Sequence, residues 1–156
     1  MDTSANSGPK VLLCRTRSVV CGLRLEDVAE TMRPLPIEQL SGTPEFVSGV
    51  SIVRGAAVPV VDLARLLGEQ SESRNSRFVI VKADGRHFAL WVAEVLGIRA
   101  LDRSSLKALP PLLRGARAEF VSAMGALDAH LLLVLESGRI LPESVWSEVP
   151  AGDARA

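Results

Sequence analysis

The sequence predicts a mostly β protein made of two small barrel-like subdomains, with a short helix after each closing strand. Three observations predict it. Apolar runs of strand length, rich in β-branched residues, recur at short intervals. Turn signals separate them, and long helical stretches are few. The run Phe46–Gly68, FVSGVSIVRGAAVPVVDLARLLG, returns 74 positions later as Phe120–Pro142, FVSAMGALDAHLLLVLESGRILP.

The elements follow in order. VLLCR from Val11 and VVCGLRL from Val19 read as strands joined by a polar turn at Thr16–Ser18. Cys14 and Cys21, seven apart in strand-like chain, are expected on opposite faces and therefore as reduced thiols. MRPLPIEQLSGTP is a Pro-punctuated crossing segment, and the strand–turn–strand run from Phe46 follows it. Within that run Pro59 cannot donate to a ladder, which predicts an edge or a bulge. Asp62 is placed to cap the helical turn LARLLG, with Gly68 at its C-terminal end.

GEQSESRNSR, Gly68 to Arg77, holds no large apolar residue and reads as a linker. Beyond it come FVIVK from Phe78 and HFALWVAEV from His87, joined through Asp84-Gly85, a strong hairpin signal. A shift of 67 positions superposes Leu23 on Leu90, Leu25 on Val92, Asp27 on Glu94 and Val28 on Val95. LKALPPLLRGARAE is the second crossing segment. After the second closing run, Pro142 suits a helix's first turn, with Val145, Trp146 and Val149 as its apolar stripe. Residues 10–142 thus read as one domain of two repeated halves, 10–68 and 77–142. Residues 1–9 and 151–156 read as flexible ends.

Composition excludes several functions. Lysine plus arginine equal aspartate plus glutamate, 18 against 18, so the basic field that drives phosphate-backbone binding is missing and nucleic acid is not an expected partner. Aromatic residues are 4% of the chain and tyrosine is absent, which removes a stacking platform for single strands. No apolar run approaches the ~20 residues needed to span a bilayer, and the polar start MDTSANSGPK lacks a signal-peptide core. A cytoplasmic protein with no direct membrane insertion is expected. Cys14, Cys21, His87 and His130 have no zinc-site spacing, and no nucleophile elbow or phosphate loop is present, so no metal, no cofactor and no catalytic residue is assigned.

One set of residues is more specific. Val28-Ala29-Glu30, Gly49-Val50, Arg54-Gly55 and Val58-Pro59-Val60-Val61-Asp62-Leu63 follow the pattern V-x-E…G-[VI]-x-N-L-R-G-x-x-[IV]-P-V-[IV]-D-L in order and spacing. Leu90-Trp91-Val92, Val95-Leu96-Gly97, Leu135-Glu136 and Ile140-Leu141 extend it. In these residues the chain resembles the CheW-like family, the coupling proteins of bacterial chemosensory arrays. The resemblance runs from about Lys10 to Leu141. It departs at Ile52 and Val53, where the pattern has Asn and Leu, at Ala93 in place of an aspartate, and at Glu136-Ser137 in the closing L-D-L.

The resemblance implies two five-stranded SH3-like barrels packed on a shared apolar core, and no enzymatic activity. It implies two partners: the regulatory domain of a CheA-type histidine kinase and the cytoplasmic tip of methyl-accepting chemoreceptors. It also implies that Glu30 and Arg54 form an ion pair and that Val28 lies at a receptor-facing groove. Gly49, Gly55, Val92 and Val95 complete the candidate partner-binding set.

The residues themselves leave alternatives. Arg54 lies in an apolar run and cannot shed its charge, so its burial would demand a carboxylate held by two hydrogen bonds; a solvent-exposed turn arginine would need no partner. Its repeat counterpart, Asp128-Ala129, has neither the cation nor the glycine, which tilts Arg54-Gly55 toward function. Gly49 reads equally as a bulge, and for Val28, Val92 and Val95 the residues themselves favour core over interface. Three functions are therefore carried forward: an adaptor binding kinase and receptor, a divergent relative binding only one of them, and a small-ligand barrel with its pocket between the halves.

Overall fold

Two-residue turns with left-handed backbone set the hairpins. The computed structural model describes residues 8–70, 75–108 and 119–149; the outermost parts of the expected flexible ends, the middle of the linker and most of the second crossing segment lie outside these. Strands β1 (Lys10–Arg15) and β2 (Val20–Arg24) are joined by a turn in which Thr16 donates its N–H to the Val19 carbonyl at 2.9 Å. The Thr16 hydroxyl oxygen accepts from the N–H groups of Ser18 and Val19. After a 3-10 turn at Leu25–Asp27 come β3 (Val28–Met32), β4 (Val47–Val53) and β5 (Ala56–Asp62). Arg54 and Gly55 link β4 to β5 with φ of 51° and 84°, the backbone that matches the twist of a tight hairpin. Asp84 and Gly85, at 52° and 78°, do the same for β6 (Arg77–Ala83) and β7 (Arg86–Val92). The chain continues through β8 (Glu94–Ala100), β9 (Val121–Leu127) and β10 (His130–Leu135).

The strands form two five-stranded sheets, ordered β8-β1-β2-β10-β9 and β3-β6-β7-β5-β4. All pairings are antiparallel except β2 with β10 and β5 with β7. The two orders superpose under the repeat shifts, strand for strand. Neither sheet belongs to one sequence half, however. The first half gives β1 and β2 to one sheet and β3, β4 and β5 to the other, and the second half completes each. This exchange splits the run HFALWVAEV, read above as one strand. Ala93 is the break: its N–H donates to Arg15 and its carbonyl accepts from Ser76.

Burial explains why the strands read as near-continuous apolar runs. Alternate residues fill the concave interior of each sheet: Val11, Leu13, Val20, Leu132 and Val134 in one, Val53, Val58, Val60, Phe78 and Ile80 in the other. The intervening residues, among them Leu12, Leu23, Val61, Phe88, Leu90, Val92, Leu133 and Leu135, meet in a third cluster shared by both sheets. The space between the halves is thus filled by side chains, where the small-ligand reading required a pocket. Two short helices finish this core. Asp62 caps α1 (Leu63–Leu66), accepting from the N–H groups of Ala64 and Arg65. Helix α2 (Glu143–Glu148) buries Val145 and sets Trp146 edge-on to Phe88 at 6.4 Å. Outside it, the Arg86 guanidinium stacks 4.4 Å from the Trp146 ring and donates twice to Glu143, clamping the helix down.

Two expectations need correction. Cys14 and Cys21 do not face opposite ways: they are direct partners across the β1–β2 hairpin and point together into the shared core. The intervening turn resets the parity that a single extended strand would have had. Both are buried and neither is in a disulfide, and burial pushes the Cys14 thiol up to about 12. Pro59 is at neither an edge nor a bulge. It lies in β5, between β4 and β7, opposite Val50, and β7 pairing begins only at the next residue, Val60. Its missing N–H therefore deletes no ladder bond.

Phe88 is fully buried in the shared core. Phe88→Ala is expected to lower stability by about 3–5 kcal/mol, read from the urea midpoint at constant m-value. The thiols are expected to stay silent toward a disulfide dye at pH 8 in the native protein and to react in denaturant; fast native reaction of both would contradict their placement.

Candidate protein-binding surface

Sheet β3-β6-β7-β5-β4 has open edges at β3 and β4, and the site is built on the seam between them. Part of the β4 edge is covered by the first crossing segment. Glu38 and Val50 exchange two backbone hydrogen bonds of 2.8 Å, and the Ser51 hydroxyl donates to the Pro36 carbonyl. That approach explains Gly49. A Cβ there would sit 2.1 Å from the Glu38 carbonyl oxygen, at a φ of 146° and beside a register shift between Val47 and Gly49.

Past the end of this covered stretch, the seam is bridged by side chains. Arg54 donates from Nε to one Glu30 oxygen and from Nη2 to the other, both at 2.7 Å. The left-handed turn is unfavourable for a long side chain, but it aims the guanidinium back across the gap toward β3. The pair is a surface feature: Arg54 is 74% exposed and Glu30 29%. The burial considered for Arg54 from its apolar flanks does not occur, because Val53 and Val58 point into the sheet while the turn projects Arg54 outward. Hydrogen bonds from Arg54 hold the Glu30 carboxyl below its ordinary value, against an opposing effect of desolvation. A depressed carboxylate stabilises the fold above its unfolded value and loses that contribution as pH falls through the folded one, so the bridge opens only in acid.

The other candidates separate. Val28 on β3 and Val95 on β8, equivalent under the repeat, are half-buried at the border of the shared core and reach the surface. Gly55 is open, with nothing within 4 Å of where a Cβ would stand. Val92 is completely buried, and Gly49 is buried beneath Glu38, so neither offers a face to a partner; both act by holding neighbouring strands in place. Residues that pattern reading did not single out as surface are Ile98 and Leu96 on β8, and Leu131, all exposed. Ile52, noted above only as a departure, is the most exposed large apolar side chain among the described residues, at 63%. Among the described residues no cluster of three or more His, Cys, Asp or Glu side chains could hold a metal, and no helix is long and apolar enough to cross a membrane.

The model of the CheW-like domain matches residues 10–145. The chain belongs to the CheW-like family. It is 38% identical over 120 residues to protein FrzA of Myxococcus xanthus, covering 72% of this chain and 73% of that protein. The chemotaxis protein CheW of Klebsiella aerogenes is 23% identical over 107 residues, a match spanning 67% of this chain but only 64% of that relative's length. The probable chemotaxis protein CheW of Rhizobium etli is 24% identical over 144 residues, covering 90% and 93%. Among solved structures, the scaffolding protein TtCheW of Thermoanaerobacter tengcongensis superposes with a TM-score of 0.72 at 27% identity, covering 82% of this chain and 88% of that one. Two five-stranded sheets on a shared core are thus the CheW-like fold, here with each sheet left open at one seam.

The Glu30–Arg54 bridge has a direct readout. The carboxyl carbon of Glu30, followed by NMR against pH, is expected to titrate at a lower midpoint in the wild type than in Arg54→Ala. Coincident curves would mean that the pair is not formed in solution.

Proposed function

We infer that this protein is a non-catalytic adaptor of a bacterial chemosensory system, joining the regulatory domain of a CheA-type histidine kinase to the cytoplasmic tips of chemoreceptors. Membership of the CheW-like family supports the class. The observation that carries the reading in this chain is the bridged seam. Glu30 and Arg54 are exposed but fixed by two short hydrogen bonds, beside the half-buried Val28. A rigid charged pair next to an accessible apolar border gives a partner both contact area and register. The packed interiors of both sheets leave the surface, rather than a cavity, as the working part. On this reading Val28, Glu30, Arg54, Gly55 and Val95 belong to the partner-facing surface, and Gly49 and Val92 support it.

Ile52 favours a second form of the same reading, in which only one of the two partners is bound. It puts an exposed β-branched side chain two residues before Arg54, where the family pattern has asparagine. An apolar group there welcomes an apolar partner surface and penalises a polar one left without its hydrogen bond.

Purified protein titrated separately with a kinase regulatory domain and a receptor-tip fragment is expected to bind both. Glu30→Ala and Arg54→Ala should each weaken at least one interaction by about tenfold, the loss of one charge-assisted contact, with the fold intact by circular dichroism. Binding to one partner alone, extended to the other by Ile52→Asn, would establish the specialist form. Binding to neither would end the adaptor reading.

A further inference from the structure

The two sheets are related strand for strand, so a feature of one that is missing from the other stands out. In the sheet just described, the seam between β3 and β4 is bridged by Glu30 and Arg54. Their repeat counterparts are Gly97 on β8 and Asp128 in the β9–β10 turn, which cannot form an ion pair. The second seam is instead a groove of about 310 Å3. Leu96, Ile98 and Arg99 line one wall, Leu127, Asp128 and His130 the other. Leu96 is 43% exposed and Ile98 60%. The β9 edge is partly covered, because Lys107 and Met124 exchange two backbone hydrogen bonds of 2.8 Å. The β8 edge has no such cover among the described residues.

The ladder phase shows what that edge presents. Strand β8 pairs on one side only, with β1. Leu101 donates its N–H to the Pro9 carbonyl at 3.0 Å, which fixes the alternation back along the strand. Arg99, opposite Val11, bonds inward to β1; Ile98 and Ala100, opposite Leu12 and Lys10, turn their N–H and C=O groups outward. Among the described residues nothing accepts from or donates to these outward groups. The edge also carries positive charge: Lys10 and Arg99 flank Ala100, and neither contacts a carboxylate among the described residues.

We propose that the outer edge of β8 is a strand-addition site, taking an extended partner segment with alternating apolar side chains and an acidic residue beside Arg99. Backbone bonds to Ile98 and Ala100 would hold the segment, and Leu96 and Ile98 would receive its apolar face. Free edges are a hazard that proteins usually bulge away, charge or cover. Here a bulge between Leu13 and Cys14 and the cations are present, yet the apolar side chains stay exposed. Lysine and arginine at such an edge repel another basic strand and attract an acidic one. The site goes beyond the adaptor reading and stands apart from the Glu30–Arg54 seam, so either can fail alone.

The test uses the full chain and a fluorescein-labelled peptide, Asp-Val-Thr-Val-Thr-Val-Asp, against a control with lysine at both ends, followed by fluorescence anisotropy. The acidic peptide is expected to bind and to move the Ile98 amide resonance, and the lysine peptide to bind several-fold more weakly. Ile98→Pro removes an outward N–H without touching the β1 ladder and should weaken the acidic peptide by about tenfold. Should that variant unfold, Arg99→Glu provides the second reading, with the preference between the two peptides reversed. No binding of either peptide, or equal binding by a folded Ile98→Pro, overturns the proposal and leaves the cations as guards of the edge. A dimer in sedimentation that takes up no peptide and dissociates in Ile98→Pro also overturns it, assigning the edge to a second copy of the chain.

Discussion

Everything in this molecule depends on one apolar layer that neither sheet can build alone. Leu12, Cys14 and Leu23 enter it from the first sheet, with Leu133 and Leu135; Val61, Phe88, Leu90 and Val92 enter it from the second. The inner strands therefore have to be apolar on both faces, one toward their own sheet's interior and one toward the other sheet. That double demand accounts for the scarcity of alternating polar residues in the strands and for a composition that is 47% hydrophobic. It also confines chemistry to the turns and edges, where side chains escape the packing.

Turn geometry and edge geometry then divide the work. At the first seam a left-handed arginine reaches across to a glutamate and fixes the relation of two unpaired strands without any backbone bond between them. An exposed pair of this kind contributes little to stability, since solvent screens it. Its worth lies in direction: two donors and two acceptors permit one orientation, so the surface beside Val28 is presented in a fixed shape. At the second seam glycine and aspartate stand in the same places, and the groove stays open.

Much of this was legible in the sequence. Asp84-Gly85 and Arg54-Gly55 announced hairpins because only a few residue types tolerate their backbone. Asp62 before LARLLG announced a cap, and the Phe46 and Phe120 runs announced a duplication. Three things were not legible, each for a physical reason. The facing of Cys14 and Cys21 depended on how many residues the intervening turn consumed, which residue spacing does not record. The break at Ala93 depended on long-range bonds to Arg15 and Ser76. The depth of Val92 against the exposure of Ile98 depended on which strand lay at an edge, and strand order is a property of the whole chain.

The exchange of strands between the two halves also orders events in time. The sheet β3-β6-β7-β5-β4 is complete once the chain has been made as far as Val92. The β1–β2 hairpin, made before the other strands of the fold, must wait longest, because its parallel neighbour β10 ends at Leu135. During synthesis at about 5–20 residues per second, β1 and β2 spend seconds with their inward faces uncovered. Within this fold the earliest strands to be made are thus among the last to be fully paired, and the most vulnerable moment falls before α2 is made.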